Sequence, residues 1–304
     1  MQIRPLFAAL GARLQRAIRN ALARLVPELR ELVALTAAQS AELRKLSDLI
    51  LQHQGRQLRN EHPNPLNRSG RKCFSQTDED GITLEILRRI GLNGHGTYAE
   101  FGVGNGTENN TLILAALGWK GFWVGGQDLA IDIIRTERFM FMKSWITLDN
   151  ILESTAAGMS ALDIESLDIV SLDLDGNDFY LVEKLLLGNI RPKLFIIEYN
   201  AKFPPPVEFC IAYDPDHKWA LNDYFGASLS SFARLFTAHG FRLVCCNSLT
   251  GSNAFFIDVE YGDHFPDVPT DINQIFVEPR YALFNNYGHK RSSKVVENIL
   301  GGGA

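Results

Sequence analysis

The chain has 304 residues, 46% of them apolar, and a formal net charge of −5. That length holds one large domain or two small ones with a real core, and the acidic balance argues against a nucleic-acid partner gripped through bulk positive charge. Four cysteines (Cys73, Cys210, Cys245, Cys246) show neither a CxxC nor a Cys/His spacing, so no zinc site or disulfide framework is signalled and reduced thiols in a cytoplasmic setting are expected.

Residues 5 to 54 read as helical, with a break near Pro27 that suits the first turn of a second helix. In the first helix Leu6, Phe7, Leu10, Leu14, Ile18, Ala21 and Leu25 share a face, Arg13, Arg16 and Arg19 fall away from it, and no acid occurs before Glu28. Such a face packs on a partner helix or lies on an anionic membrane, which would place the protein at the inner face of that membrane. Arginines interrupt the apolar stretches, and no run of about 18 apolar residues exists, so neither a signal peptide nor a spanning helix is expected. In the second helix Leu29, Leu32, Thr36, Gln39, Leu43, Leu46 and Ile50 alternate at spacings of three and four, a heptad seam that points to a coiled coil and a homo-oligomer, or to docking on the chain's own domain. The polar stretch that follows, with Pro63, Pro65 and two glycines, reads as a linker. The expected division is a helical extension (1–54), a linker (55–73), the main domain (74–260) and a C-terminal extension (261–304).

From Cys73 the character changes. FSQTDEDG precedes a helical pattern at Ile82, Leu84, Ile86, Leu87 and Ile90, with Thr77 or Asp78 as N-cap. Strands are then expected near 97–102, 121–125, 145–147, 167–173, 193–199, 241–247 and 253–258, with helices at about 107–117, 129–142, 178–188 and 228–239. This alternation predicts an α/β fold, a mostly parallel seven-stranded sheet with helices on both faces.

Ligands of such sheets sit beyond the carboxyl ends of the strands. TYAEFGVGNGTENNTL places Glu100 at the end of a buried strand, then Gly102, Gly104 and Gly106 in a turn, with Thr107 opening a helix. The spacing is GxGxG, whereas a nicotinamide dinucleotide wants GxGxxG and would be repelled by the acid. The same acid suits an ammonium group, and S-adenosylmethionine carries one together with a sulfonium. ITLDNI places Asp149 and Asn150 where an adenine amino group would be read, and SLDLDGNDFY crowds Asp173, Asp175 and Asp178 around Gly176. Asp178 suits the start of the next helix, whereas Asp173 should sit at the strand edge. These aspartates also make an oxygen-ligated Mg2+ or Ca2+ a candidate, although the EF-hand spacing is absent.

From about Phe74 to Ile257 the chain resembles the FkbM-type methyltransferases, a branch of the class I S-adenosylmethionine-dependent enzymes with a Rossmann-like fold. The resemblance rests on FSQTDED, on YAEFGVGNGTENNTLILAALGWKGFWV, on SLDLDGNDFYLVEKL and on RPKLFIIEYN. It implies that Glu100, Gly102, Gly104 and Asn105 hold the methionine end of the cofactor and that Asp173 faces it. Enzymes of this class usually carry a ribose-binding acid at the end of the second strand. Here the sequence reads FWVGGQD, so either Asp128 or Gln127 takes that place. The long stretch after the fifth strand should carry substrate, with His217 as general base and Glu198 and Asn200 at the strand edge; Tyr213, Trp219 and Tyr224 stack on a sugar or pack the loop. The expected activity is O-methylation of a sugar or glycoconjugate hydroxyl, an acceptor class that rests mainly on the resemblance. The alternatives are a non-catalytic scaffold assembling through the coiled coil and, third, a nicotinamide oxidoreductase.

Overall fold

Short apolar runs bounded by glycine and polar residues become the strands of one sheet. In the computed structural model these are β1 (Thr97–Phe101), β2 (Lys120–Gly125), β3 (Phe139–Lys143), β4 (Ile169–Leu172), β5 (Leu194–Glu198), β6 (Phe241–Cys246) and β7 (Asn253–Asp258). The helices are α1 (Pro27–Glu61), α2 (Glu79–Arg89), α3 (Leu112–Ala116), α4 (Ile151–Ala161), α5 (Asp178–Leu187), α6 (Leu229–Ala238) and the single turn α7 (Ile272–Ile275). The structure describes residues 15–21, 27–92, 94–280, 296–297 and 300–301.

The sheet order is β3-β2-β1-β4-β5-β7-β6. Strands β1 to β5 pair in parallel, while β7 runs antiparallel to both β5 and β6. Side chains alternate between the two faces, as the pleat requires. Ala99, Phe101, Phe122, Val124, Val170 and Leu172 join one core with α4, α5 and α6. Tyr98, Trp123, Ile169 and Ile196 join the other with α2 and α3. Burial on both faces explains why LFII is a continuous apolar run and why IVSL is buried at every position, its Ser171 hydroxyl accepting from the Asn110 amide. This is the α/β fold expected from the sequence, a mostly parallel seven-stranded sheet with helices on both faces. Its strand order reverses between β1 and β4, where a doubly wound sheet opens a crevice.

The third strand is displaced from its expected place. The chain forms β3 at 139–143, and 145–147 is an irregular turn; no helix covers 129–138. Two local bonds account for this. Ala130 N–H donates to the Asn105 carbonyl (2.8 Å), tying the segment to the glycine turn, and Thr136 N–H donates to the Phe139 carbonyl (2.7 Å), closing a tight turn into the strand.

The stretch expected as a linker also differs. Residues 55–61 complete α1, and Pro65–Ser69 form a 3-10 turn with Leu66 fully buried. Asn64 and Asn67 donate through their amides to the Val244 and Cys246 carbonyls on β6 (2.6 and 2.9 Å). Polar composition here reflects side chains that satisfy a strand edge, not solvation. Asp78 is the N-cap position of α2 but makes no capping bond; its carboxylate instead accepts the N–H of Ser248 (3.1 Å).

The chain divides into two units, 1–53 and 54–304. In the first, residues 15–21 and 27–53 are helical, and the heptad residues Leu32, Leu43, Leu46 and Ile50 are each at least half exposed. Most of the basic amphipathic pattern, from Leu6 to Leu14 and at Leu25, lies outside the described residues. Among the described residues no helix is long and apolar enough to cross a membrane.

Candidate functional site

Five consecutive parallel strands deliver their carboxyl ends to one cleft of about 640 Å3, within the rough 300–1,000 Å3 range of small-molecule sites. Gly102 and Gly104 follow β1, Gln127 follows β2, Trp145 and Ile146 follow β3, Asp173 and Asp175 follow β4, and Glu198 ends β5.

Two glycines set the cleft's floor. Gly102 has φ +89°, and a Cβ built there would stand 1.6 Å from the Asp173 carbonyl oxygen. Only glycine lets these two strand ends approach so closely. Gly104, at φ +53°, has no heavy atom within 4 Å of a built Cβ. Protein packing therefore leaves that space open, and it faces the cleft.

Glu100 does not line this cleft. Its carboxylate turns inward and accepts the N–H of Asn110 and of Thr111 (both 3.0 Å) together with the Thr111 hydroxyl. These N–H groups open the segment leading into α3 and would otherwise be orphaned, so the acid is consumed by its own chain. Burial raises its pKa, against the pull of the Thr111 and Asn110 bonds. Asn105 lines the cleft, but its side-chain oxygen accepts from the Thr107 hydroxyl (2.7 Å) and N–H (3.1 Å); Thr107 thus braces the turn and does not reach the cleft.

The expected nucleoside contacts divide in the same way. Asp128 is exposed and paired with Lys143 (2.5 Å), outside the cleft, so Gln127 occupies the second-strand position. Asp149 is exposed and does not line it. Asn150 acts at one remove. Its oxygen accepts the Thr147 N–H (2.8 Å) and its amide donates to the Trp145 carbonyl (2.8 Å), which fixes the turn presenting Trp145 and Ile146.

At the far side Asp173, Asp175 and Glu198 bring one carboxylate oxygen each within 4.8 Å of one another. Oxygen donors in this arrangement fit a hard divalent cation. Asp178 is not part of the group: its two oxygens accept the N–H of Leu174 (2.8 Å) and Gly176 (2.9 Å), closing the turn before α5. Burial and then the neighbouring carboxylates raise Asp173 well above the ordinary carboxylate range, and burial followed by Asp173 does the same to Glu198. Like charges this close oppose one another's ionisation. Glu198 Oε2 is buried without a hydrogen-bond partner, as is Nε2 of His217.

His217 reaches the cleft as expected. Its ring rests on Gly176, where a built Cβ would lie 2.4 Å from Cδ2. The loop that carries it is pinned from outside: Asn177 donates to the Asp214 carbonyl (2.7 Å), Trp145 Nε1 to the Pro215 carbonyl (2.8 Å) and the Tyr180 hydroxyl to the Ile211 carbonyl (2.8 Å). Asn200 is placed otherwise than expected. Fully buried, it donates to the Asp223 and Phe225 carbonyls (2.9 and 3.0 Å) and shapes the loop from behind. Of the loop aromatics Trp219 lines the cleft, whereas Tyr213 accepts the Leu148 N–H (3.2 Å) and Tyr224 accepts the Ala212 N–H (3.3 Å).

Sequence reasoning passed over Gln76, Glu108, Trp145 and Lys218, all of which line the cleft. Lys218 Nζ lies 5.8 Å from the Trp145 ring centroid, a cation–π distance. Gln76 sits on a turn built by Asp80, whose Oδ2 accepts the N–H of Cys73, Phe74 and Ser75 (2.7, 2.6 and 2.9 Å).

No protein-family model matches the chain, and no curated protein is significantly similar to it. Among solved structures, a candidate hemolysin from Lactococcus lactis is 16% identical, with 58% of this chain and 85% of that one covered, at a TM-score of 0.37. Precorrin-6y C5,15-methyltransferase from Geobacter metallireducens is 10% identical over 62% of this chain and 90% of its own (TM-score 0.34). The methyltransferase MycE of mycinamycin biosynthesis, solved with Mg, SAH and mycinamycin VI, is 13% identical over 58% and 45% (TM-score 0.31). Identities this low leave the functional reading to the site itself.

The glycine turn makes a paired expectation. Gly102→Ala should fail to accumulate as folded protein, because its Cβ collides with backbone. Gly104→Ala should fold, losing about 1–2 kcal/mol to the left-handed conformation, and should lose ligand affinity; equal thermal stability of the two variants would refute the geometry. Asp80 makes another. Burial raises its pKa to about 6, over the opposing pull of its N–H partners. A raised folded-state value means that the protonated form favours folding. The stability from this group is present below its unfolded pKa of about 3.9 and is lost as pH rises through about 6. In urea titrations the stability of the native chain relative to Asp80→Asn should therefore fall from pH 4 to 6 and then level off.

Proposed function

We propose that the protein is an S-adenosylmethionine-dependent methyltransferase acting on a hydroxyl of a sugar or glycoconjugate. The observation that carries this reading is the pairing of an open glycine turn with a cleft wall of carboxylates. Asp173, Asp175 and Glu198 disfavour a pyrophosphate and favour a cation, which is the charge of a sulfonium. The residues fit the group in size and donors: Gly104 leaves room for a close approach, Gln127 offers an amide to ribose hydroxyls, and Trp145 with Ile146 offers a flat apolar flank to a base.

When bound, the cofactor supplies an electrophilic methyl group. The chain's own contribution is placement and proton handling. Gly102, Gly104 and Gln127 orient the donor, and His217, Lys218 and Trp219 of the loop at 211–219 flank the acceptor. Nε2 of His217, buried and unpartnered at the cleft, is the atom that accepts the acceptor's hydroxyl proton; Glu198 Oε2 is the second candidate. Trp219, whose indole N–H is already donated to the Asn222 carbonyl (2.6 Å), offers only its ring face to a sugar.

A second reading of the three carboxylates is an Mg2+ ion that lowers the pKa of an acceptor hydroxyl, favoured by their oxygen spacing. The alternative of a non-catalytic scaffold draws support from the absent second-strand acid. The reading of the heptad seam is self-association, since its leucines are exposed within their own unit.

Calorimetry distinguishes these. S-adenosylmethionine should bind and NAD should not. Binding the cation should favour the ionised forms of Asp173 and Glu198, whose pKa values burial and their mutual repulsion raise, so its affinity should rise with pH as they ionise, and two buffers of different ionisation enthalpy should report proton release that the neutral product S-adenosylhomocysteine does not cause. Absence of binding by either cofactor form would leave the scaffold reading standing. Heat on adding Mg2+ alone, abolished in Asp175→Asn, would establish the metal. Replacing Leu43 and Leu46 with Glu should lower the mass measured by light scattering; a native chain that is already monomeric refutes the seam.

A further inference from the structure

The acid expected to hold the cofactor's ammonium, Glu100, is spent inside the protein, so the amino-acid end needs another seat. We infer that Gln76 and Glu108, joined through Lys72, form the subsite for the α-ammonium and α-carboxylate of the methyl donor. This rests on the function proposed above and names residues for a part of that site which the sequence had given to Glu100.

The case begins with where the chain invests buried charge. Asp78, Glu79 and Asp80 are all at most 1% exposed, a costly arrangement for three adjacent acids. All three fix one turn. Asp80 gathers three successive N–H groups of residues 73–75, and its own N–H donates to the Ser75 hydroxyl (3.3 Å). Glu79 accepts the N–H and hydroxyl of Thr77 (2.8 and 3.0 Å), and Asn247 donates to that hydroxyl (2.9 Å). Asp78 anchors the next step to Ser248. Ser75 and Thr77 are thereby buried on either side of Gln76, which alone of the three is exposed, and it is exposed to the cleft.

The partner groups come from the glycine turn. Lys72 donates to the Gln76 carbonyl, and its Nζ lies 3.6 Å from Glu108 Oε1, so the two cleft-lining residues are held at one corner. Asn105 and Gly104 line the cleft along with them. This corner offers what a zwitterion requires: amide N–H donors for a carboxylate, and a carboxylate for an ammonium. Trp145 and Gln127 come from the β3 and β2 ends and suit the nucleoside.

The test uses two ligands that share the nucleoside. S-adenosylhomocysteine carries the amino-acid end, and 5′-methylthioadenosine lacks it. By calorimetry on the full chain, S-adenosylhomocysteine should bind more tightly than methylthioadenosine. Gln76→Ala and Glu108→Gln should each weaken S-adenosylhomocysteine about tenfold, in keeping with loss of a hydrogen bond to a charged group, while leaving methylthioadenosine unchanged. Thermal melting checks that Gln76→Ala, altered at an exposed side chain, remains folded. Equal affinity of native and Gln76→Ala chains for S-adenosylhomocysteine overturns the subsite alone, as does a parallel loss on both ligands. A native chain that binds neither ligand overturns the subsite and the proposed function together.

Discussion

The structure hangs on the contact between the ends of β1 and β4. Where Gly102 passes the Asp173 carbonyl there is no room for a single further carbon, and the left-handed backbone at that point turns the chain out of the sheet. The contact fixes the distance from the glycine turn to the Asp173 side chain, and β5, paired with β4, brings Glu198 alongside. The spacing of these two strand ends is set by backbone. It follows from two main chains in van der Waals contact at the point where strand order reverses.

Around that contact the acids fall into two kinds. Glu100, Asp80 and Asp178 each hold two or three backbone groups of a neighbouring turn and act as internal brackets. Burying them is expensive, and each offsets the cost by satisfying N–H groups that would otherwise be stranded in a loop. Asp173 and Glu198 hold no such group among the described hydrogen bonds and meet each other on one side of the cleft. Their mutual repulsion is a stored electrostatic preference for a cation or a proton. A rigid frame of bracketing acids thus holds in place the pair that a ligand can relieve.

Much of this arrangement was legible in the sequence. Apolar-rich runs such as IVSL and LFII marked central parallel strands, and the glycine turn marked the switch point. Where the sequence misled, the reason is physical. FMFMK is too short to show a period, and with the isoleucines at 131, 133 and 134 before it the stretch reads as one amphipathic helix. The break comes from backbone bonds at Ala130 and Thr136 that leave no mark in composition. Glu100 was read correctly as to position along its strand but not as to direction, since it turns into orphaned N–H groups; of the two residues offered for the place after the second strand, Gln127 lines the cleft and Asp128 finds Lys143 at the surface. Gln76 and Trp145 were passed over because their place depends on chain far away in sequence. The 73–76 turn is shaped by Asp80 and by residues near 247, and Trp145 is held by a loop some seventy positions on (|i−j| = 70).

The way that loop is fastened has its own implication. Asn177, Tyr180 and Trp145 all reach into it from outside and all grasp main-chain carbonyls, those of Asp214, Ile211 and Pro215. A fastening written in the backbone is indifferent to most of the side chains it carries. The exposed residues along 211–219, those other than Ile211, Tyr213 and His217, can therefore drift while the frame goes on setting the loop at the same height over the cleft. A lineage with this scaffold can change what the loop presents to the cleft without rebuilding the strand ends beneath it, and a designer can vary those positions with the same freedom.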